Sequence, residues 1–388
     1  MLSVESTCNQ VNQFGGYTGM NPADFVSLLH NIAHEVGLDL KRILIGSDHL
    51  GPYPWRSEPS EDAMEKACQL ARASVLAGYT KIHLDASMAC GGDPRMPDDD
   101  TVAQRAAQLC SVAEHASQER SDLPTPLYVV GTEVPVPGGE QSNAQRPQPT
   151  AVGHVDRTLE SFGKAFRERG LQEAWQRVIG LVVHSGAEFS DSQVFDYDPL
   201  LANGLRDHLP QSPSLVYEAH STDYQTSVGL GRMVEDHFAI LKVGPWLTFA
   251  YREAVFALSA IEHDWLGGRR GVQLSSVRQA LEAAMLQNPT YWRDYAAGQG
   301  SFSREFGFSD RCRYYWPDST VQAEVKLLLS NLSENDIPLT LVSQYFPGQY
   351  NAIRAEKQHR LPERLIEQHI GKVLTIYSNA CCDSGLGV

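Results

Sequence analysis

The chain has 388 residues with a formal net charge of −15, 20% charged and 42% hydrophobic side chains, and no Lys/Arg-rich run. That balance argues against nucleic acid or an anionic membrane surface as the main partner, while leaving room for an anionic metabolite held by a local cluster of donors. No stretch approaches the roughly 20 apolar residues of a membrane span, and the start MLSVEST lacks the basic-then-apolar layout of a signal, so a soluble, cytoplasmic protein is expected.

In chain order, short apolar runs that end in acidic, histidine or amide side chains alternate with helical patterns. The runs are Leu2 to Ser6 followed by CNQVNQFGG, then ILIGSDHLGP (43–52), KIHLDAS (81–87), LYVVGTEVPVPGG (127–139), GLVVHSGAEF (180–189), LVYEAHSTD (215–223) and AILKVGPW (239–246). Between them, residues 22–37, 61–78 and 101–118 carry apolar side chains at three- and four-residue spacing, with helix starts at Asn21-Pro22 and Ser60-Glu61-Asp62. Strand then helix, repeated, predicts a parallel sheet of the (β/α)8 TIM-barrel type. Seven strands precede residue 250, one short of closure. The simplest expectation is a first strand-helix unit that lies before Met1, and the alternative is an open or seven-stranded sheet. Residues 1–269 are expected to form the barrel, and 270–388 a helical extension, rich in aromatics at 288–318 and 341–350, that caps the barrel or makes an oligomer contact. The Gly/Pro-rich stretches 91–100 and 135–154 read as surface loops or lids. Seven cysteines, odd in number and without CxxC spacing, favour reduced thiols over a disulfide framework or a cysteine zinc site.

Strand ends of such a barrel converge on one face, so their polar residues are the candidate site. Asp48 beside His49 offers a proton carrier next to a metal ligand. His83 and Asp85, two apart on one strand, share a face, where an uncompensated charge would be costly. Glu133, His184, Glu218 and His220 close later strands. Imidazoles and carboxylates from separate strands, with no thiolate, suit a divalent metal such as Zn, Mn or Ni. Asn9, Gln10, Asn12 and Gln13 put four amides in one loop, either for the hydroxyls of a sugar or for the backbone of the turn. Phosphate candidates are Ser221, Lys242 and Gly244 after the last two strands, and Arg311 and Arg313 in the aromatic tail; surface ion pairs are the competing reading.

Taken together, NQVNQFGGYTGM, GSDHLGP, KIHLDASMAC, GTEVPVPGG, YEAHSTDYQ, FAILKVGPWLTFA, SDRCRYYWP and SQYFPGQY resemble the GatZ/KbaZ family across essentially the whole chain. That family is similar to class II ketose-bisphosphate aldolases, which are metal-dependent barrels. The resemblance implies Asp48 as proton carrier, His49, His184 and His220 as ligands with Glu218 in reserve, and Asp85 and Glu133 as further acid/base groups; His83, on the same face as Asp85, is a candidate substrate contact. It also implies the absence here of the family's usual first strand-helix unit. One departure matters: the last strand ends in Gly244-Pro245-Trp246 where the aldolases place an Asn and a Thr for the 1-phosphate. Proline removes an N–H donor and tryptophan adds bulk, which disfavours a bisphosphate.

The family carries three labels: a stabilising, non-catalytic subunit of tagatose-1,6-bisphosphate aldolase, a tagatose-6-phosphate kinase, and a tagatose-6-phosphate 4-epimerase. The chain has no GxxxxGK[ST] loop, so the kinase label finds no support in it. The retained polar strand ends lead to the expectation of a metal-dependent 4-epimerase that interconverts D-tagatose 6-phosphate and D-fructose 6-phosphate by retro-aldol cleavage and re-addition. The alternative is the stabilising aldolase subunit. A homo-oligomer binding a ketohexose 6-phosphate is expected in the first case, and an aldolase chain as partner in the second.

Overall fold

The computed structural model describes residues 2–120, 122–131, 146–208, 215–293, 300–334, 336–356 and 359–382. Strands and helices alternate: β1 (Leu2–Thr7), α1 (Pro22–Glu35), β2 (Ile43–Leu50), α2 (Ser60–Ala77), β3 (Lys81–Leu84), α3 (Asp99–Gln118), β4 (Leu127–Val130), α4 (Val152–Glu168), the single turn α5 (Gln172–Trp175) and β5 (Val178–Val182). A two-stranded antiparallel ribbon, β6 (Glu188–Phe189) and β7 (Val194–Phe195), and α6 (Asn203–Asp207) follow before β8 (Val216–Ala219), α7 (Ser227–Glu235) and β9 (Ile240–Leu241). The main sheet has seven strands in the order β1-β2-β3-β4-β5-β8-β9, all parallel, as strand-helix alternation requires. It is curled. Lys242, one residue past β9, reaches Glu5 on β1 and Asp48 on β2, so the two edges of the sheet face each other across its interior.

Local chemistry explains the helix ends. Asn21 accepts from the N–H groups of Ala23 and Asp24 while Asp24 accepts from Asn21, a capping box with Pro22 at the first helical position. Asp98 and Thr226 cap α3 and α7, and α2 stops at Gly78 in the left-handed region. The buried faces of α2 and α3 are rich in alanine (Ala67, Ala71, Ala103, Ala106, Ala107), which lets the helices lie close to one another and to the sheet.

After β9 the chain is helical: α8 (Pro245–Leu266), α9 (Val277–Gln287), α10 (Gly300–Phe306), α11 (Ser319–Ser333), α12 (Leu339–Tyr345), α13 (Pro347–Glu356) and α14 (Pro362–Cys382). A second core forms where Val255, Leu258 and Ile261 of α8 pack with Leu328 and Leu332 of α11, Val342 of α12 and Leu365 of α14. The last turns of α14 return to the first core through Val373, Tyr377 and Ala380. The extension also touches the strand-end loops: Tyr377 Oη donates to the Thr222 carbonyl (2.8 Å), Tyr224 Oη to that of Phe308 (2.6 Å), and Tyr17 meets Tyr314 edge to face at 5.0 Å. Among the described residues no helix is long and apolar enough to cross a membrane.

Two positions make the strand ends possible and are open to test. Gly51 lies against the chain at Asp85, where a Cβ would sit 1.6 Å from the Asp85 carbonyl oxygen. Gly51→Ala is expected to lower stability by about 3 kcal/mol or to abolish folding, read as the midpoint of urea unfolding. At the start of α8, Asp223 accepts from the N–H groups of Gly244 (3.0 Å) and Trp246 (2.8 Å). Burial pushes its carboxyl up to about 6, and those two N–H groups only partly oppose the rise. Folding therefore raises this pKa above the unfolded value of about 3.9. Any stability the group contributes is complete below that value and is lost as pH rises through 6. Asp223→Asn keeps an acceptor for both N–H groups without the ionisation cost. Its melting temperature is expected to gain a few degrees over wild type at pH 8 and to lose about half of that gain at pH 5.

Candidate metal and active site

Polar side chains fill the interior at the strand ends, where packed branched residues would be the norm for a closed barrel. Glu5 of β1 and Lys81 of β3 both lie opposite Gly46 of β2 in the strand register. A Cβ on Gly46 would lie 3.0 Å from Glu5 Cγ and 3.1 Å from Lys81 Cβ, so glycine leaves the space through which Lys81 Nζ reaches Glu5 Oε1 at 2.8 Å. Lys81 Nζ also lies 2.6 Å from Glu218 Oε2 on β8. Lys242 Nζ contacts Glu5 Oε2 and stands 3.2 Å from Asp48 Oδ1 and 3.9 Å from Glu218 Oε1. Carboxylate and ammonium alternate around this ring, with Glu218 wholly buried and Lys81 1% exposed. Burial alone raises the carboxyl of Glu218, yet Lys242, Lys81 and the hydrogen bond to His220 hold it well below the ordinary range.

One layer further out, three imidazoles meet. The ring centroid of His49 lies 5.3 Å from that of His83 and 5.0 Å from that of His220, and those of His83 and His220 are 5.4 Å apart. Successive strand residues point to opposite faces, so Asp48 and His49 would normally diverge. Here the β2–β3 register shifts between Ser47 and Leu50, and His49 takes a left-handed φ of 49°. Both side chains therefore join the same cluster. Asp48 Oδ1 is 3.0 Å from His83 Nδ1, Asp48 Oδ2 is 3.5 Å from His49 Nε2, and His49 Nδ1 is 2.9 Å from Asp85 Oδ2. Asp85 is fixed in turn by Ser87, whose N–H (3.0 Å) and Oγ (2.6 Å) donate to Oδ1. Burial opposes charge on His49, but Asp48 and Asp85 outweigh it and raise its pKa. His220 goes the other way: burial pulls it down to about 4, leaving a neutral ring whose Nε2 is 2.9 Å from Glu218 Oε1.

Asp48, His83, Glu218 and His220 each offer a ligand atom, all within 4.8 Å of one another. A dication fits this set on two grounds. His83 is fully buried and its Nε2 has no hydrogen-bond partner. Its Nδ1 accepts from the His49 N–H at 3.3 Å and faces Asp48 Oδ1 at 3.0 Å, and an imidazole ligates through whichever nitrogen carries the lone pair. Asp85 and Glu218, both buried, with Glu5 and Asp48, whose side chains are 5% and 14% exposed, outnumber the two ammonium groups even with His49 counted as charged, and surplus charge held out of water calls for a counter-ion.

The residues singled out from sequence fall into groups. Asp48, His49, His83, Asp85, Glu218, His220 and Lys242 are brought together. The set that could hold a cation contains Glu218 and His220 from the expected ligands, with His83 and Asp48 where His49 and His184 were expected. His184 is not in that set: its Nδ1 accepts from Gly186 N–H (3.0 Å) and its Nε2 lies 3.6 Å from Glu188 Oε2. Glu133 lies outside the described residues. Of the four amides, Gln10 accepts from Thr7 N–H and Asn12 donates to the Cys8 carbonyl and accepts from Phe14 and Gly16, so these two serve the loop backbone, while Gln13 donates to the Lys66 carbonyl and ties the loop to α2. Asn9 is half-buried and ties the loop through its carbonyl, which accepts from Tyr17. Ser221 sits at the strand end with a left-handed φ of 54°. The N–H of Gly244 is already taken by Asp223. Arg313 donates to the carbonyls of Ser309 and Asp310 and to Tyr314 Oη, and Arg311 is buried beside it. Glu5 and Lys81 escaped the sequence reading. Lys81, His83 and Asp85 at alternate positions were a legible sign of a polar inward face, whereas nothing local marked Glu5.

Comparison with known proteins agrees with this geometry at the level of family. Residues 1–382 match the family model for D-tagatose-1,6-bisphosphate aldolase subunit GatZ/KbaZ-like proteins. Proteins named D-tagatose-1,6-bisphosphate aldolase subunit GatZ from Salmonella agona and Salmonella typhimurium are each 46% identical over 381 residues, covering 97% of this chain and 89% of theirs. A crystal structure described as a probable tagatose 6 phosphate kinase from Sinorhizobium meliloti superposes with a TM-score of 0.88 at 40% identity, covering 98% of this chain and 93% of that one. A whole-length family match, near-half identity to these relatives and a shared three-dimensional fold place the chain in the GatZ/KbaZ-like family of D-tagatose-1,6-bisphosphate aldolase subunits.

Proposed function

We propose that the chain acts as a subunit of a D-tagatose-1,6-bisphosphate aldolase, the role stated in its relatives' names, and that it handles a ketohexose phosphate of that pathway. The observation that carries this reading is 46% identity over 97% of the chain to proteins so named. The seven-stranded sheet is read as a (β/α)8-type barrel unit, residues 1–269, with a helical extension, 270–388.

A specific observation favours a second reading, in which the chain also turns over substrate as a tagatose-6-phosphate 4-epimerase. The strand ends hold a buried set of four ligand-type residues, including an imidazole nitrogen without a partner. Supporting another chain gives no physical need for this arrangement. A divalent metal held by Asp48, His83, Glu218 and His220 would supply Lewis-acid polarisation of the substrate's oxygens. Retro-aldol cleavage between C3 and C4 needs a base for the C4 hydroxyl proton and its return after the aldehyde has turned. His49, held between Asp85 and Asp48, is placed to carry that proton, with Asp85 fixing its ring and Glu133 as the further acid/base candidate. Capping of α8 by Asp223 leaves the N–H groups of Gly244 and Trp246 no role in binding a phosphate, which supports a monophosphate rather than a bisphosphate. No GxxxxGK[ST] loop supports a kinase.

Two experiments test these readings. An aldolase chain of the same pathway is expected to keep its activity longer on warming when mixed with this protein, and an unchanged half-life would remove the subunit reading. The purified chain alone, given D-tagatose 6-phosphate with Zn2+, Mn2+ or Ni2+ in turn, is expected under the second reading to form D-fructose 6-phosphate, detected by a coupled assay. Silence with every metal would end that reading. In an active protein, Asp85→Asn is expected to lower kcat at least a hundredfold with little change in KM, because His49 loses the carboxylate that orients it.

A further inference from the structure

Lys242 stands in an unusual relation to the cation set. Its Nζ lies 3.2 Å from Asp48 Oδ1, the oxygen that also faces His83 Nδ1 at 3.0 Å, and 3.9 Å from Glu218 Oε1, the oxygen that also faces His220 Nε2 at 2.9 Å. The ammonium thus shares one oxygen of each carboxylate ligand with an imidazole of the same set. Its third partner, Glu5 Oε2, belongs to the ring closed by Lys81. Lys81 reaches Glu218 of the set through the other oxygen, Oε2, at 2.6 Å, whereas Lys242, just past β9 and across the sheet from β1 and β2, faces both carboxylate ligands.

We infer that Lys242 is a built-in competitor for the metal, an ammonium that neutralises Asp48 and Glu218 when no dication is bound and yields those oxygens by withdrawing to Glu5 when one binds. The inference rests on the metal-binding part of the reading above. Like charges a few ångströms apart in a buried site repel strongly. The lysine therefore weakens binding of any dication, and the anchor at Glu5 limits how much. Glu5 and Lys242 together set the affinity without either being a ligand.

The test is calorimetric titration of the chelator-stripped full chain with Zn2+ and with Mn2+ at fixed pH and ionic strength. Lys242→Met is expected to bind one dication at least tenfold more tightly than wild type, and Glu5→Gln to bind it more weakly. The double variant Glu5→Gln/Lys242→Met, which removes one charge of each sign and so guards against misfolding of the single variants, is expected to keep most of the tightening. Binding by wild type that is not strengthened in either variant lacking Lys242 overturns the inference and leaves the metal site standing. No binding by any of these proteins removes the metal site and the inference together.

Discussion

The ring in which Glu5, Lys81, Glu218 and Lys242 alternate is the constraint on which the site depends. It ties β1, β3, β8 and the end of β9 together through the interior of the curled sheet, and thereby holds the two sheet edges opposite each other. Stability does not explain it. Replacing a buried ion-pair network with well-packed apolar residues is often neutral or stabilising by about 1–4 kcal/mol, whereas removing one partner alone costs about 3–5 kcal/mol. A network that stability does not require, kept at the end of the strands where side chains converge, points to a task for its charges. That task is to set the position and protonation of the carboxylates and imidazoles one layer above.

The layer above uses this field in two opposed ways. Asp48 and Glu218 remain ionised despite burial because ammonium and imidazole groups surround them. His220 stays neutral because burial outweighs its carboxylate neighbour, while His49, between two carboxylates, is pushed toward the charged form. One pocket thus presents both a lone-pair donor for a cation and a proton carrier. Environments that separate titratable groups in this way are the usual mark of acid/base chemistry.

Much of the architecture could be read from the sequence because it is encoded locally. Apolar runs ending in polar clusters correspond to the seven strands of the main sheet, and the spacing over 22–37, 61–78 and 101–118 anticipates α1, α2 and α3 within two residues at either end. The pair His83/Asp85 followed from the two-residue period of a strand. What sequence did not reveal is non-local. The register shift that turns His49 beside Asp48 arises only once β2 and β3 pair. The link from Lys242 to Glu5 spans 237 residues of chain, and Glu5 carries meaning only through Gly46 and Lys81 beside it. His184 sat at a strand end like the other histidines, but its ring nitrogens face Glu188 and the turn at Gly186. Amide residues after β1 were ambiguous on composition alone, and the tight turn that follows claims most of their hydrogen bonds.

The extension completes the picture, since Tyr377, Phe308 and Tyr314 press on the loops that carry Thr222, Tyr224 and Tyr17 and fix the strand ends from above. The central claim, that these strand ends form a cation site built on His83 rather than His184, is tested most directly by anomalous diffraction at the zinc edge from crystals of the chain grown with Zn2+. The account predicts one strong peak among Asp48, His83, Glu218 and His220. A peak at His184 and Glu188, or none in the interior of the sheet, would contradict it.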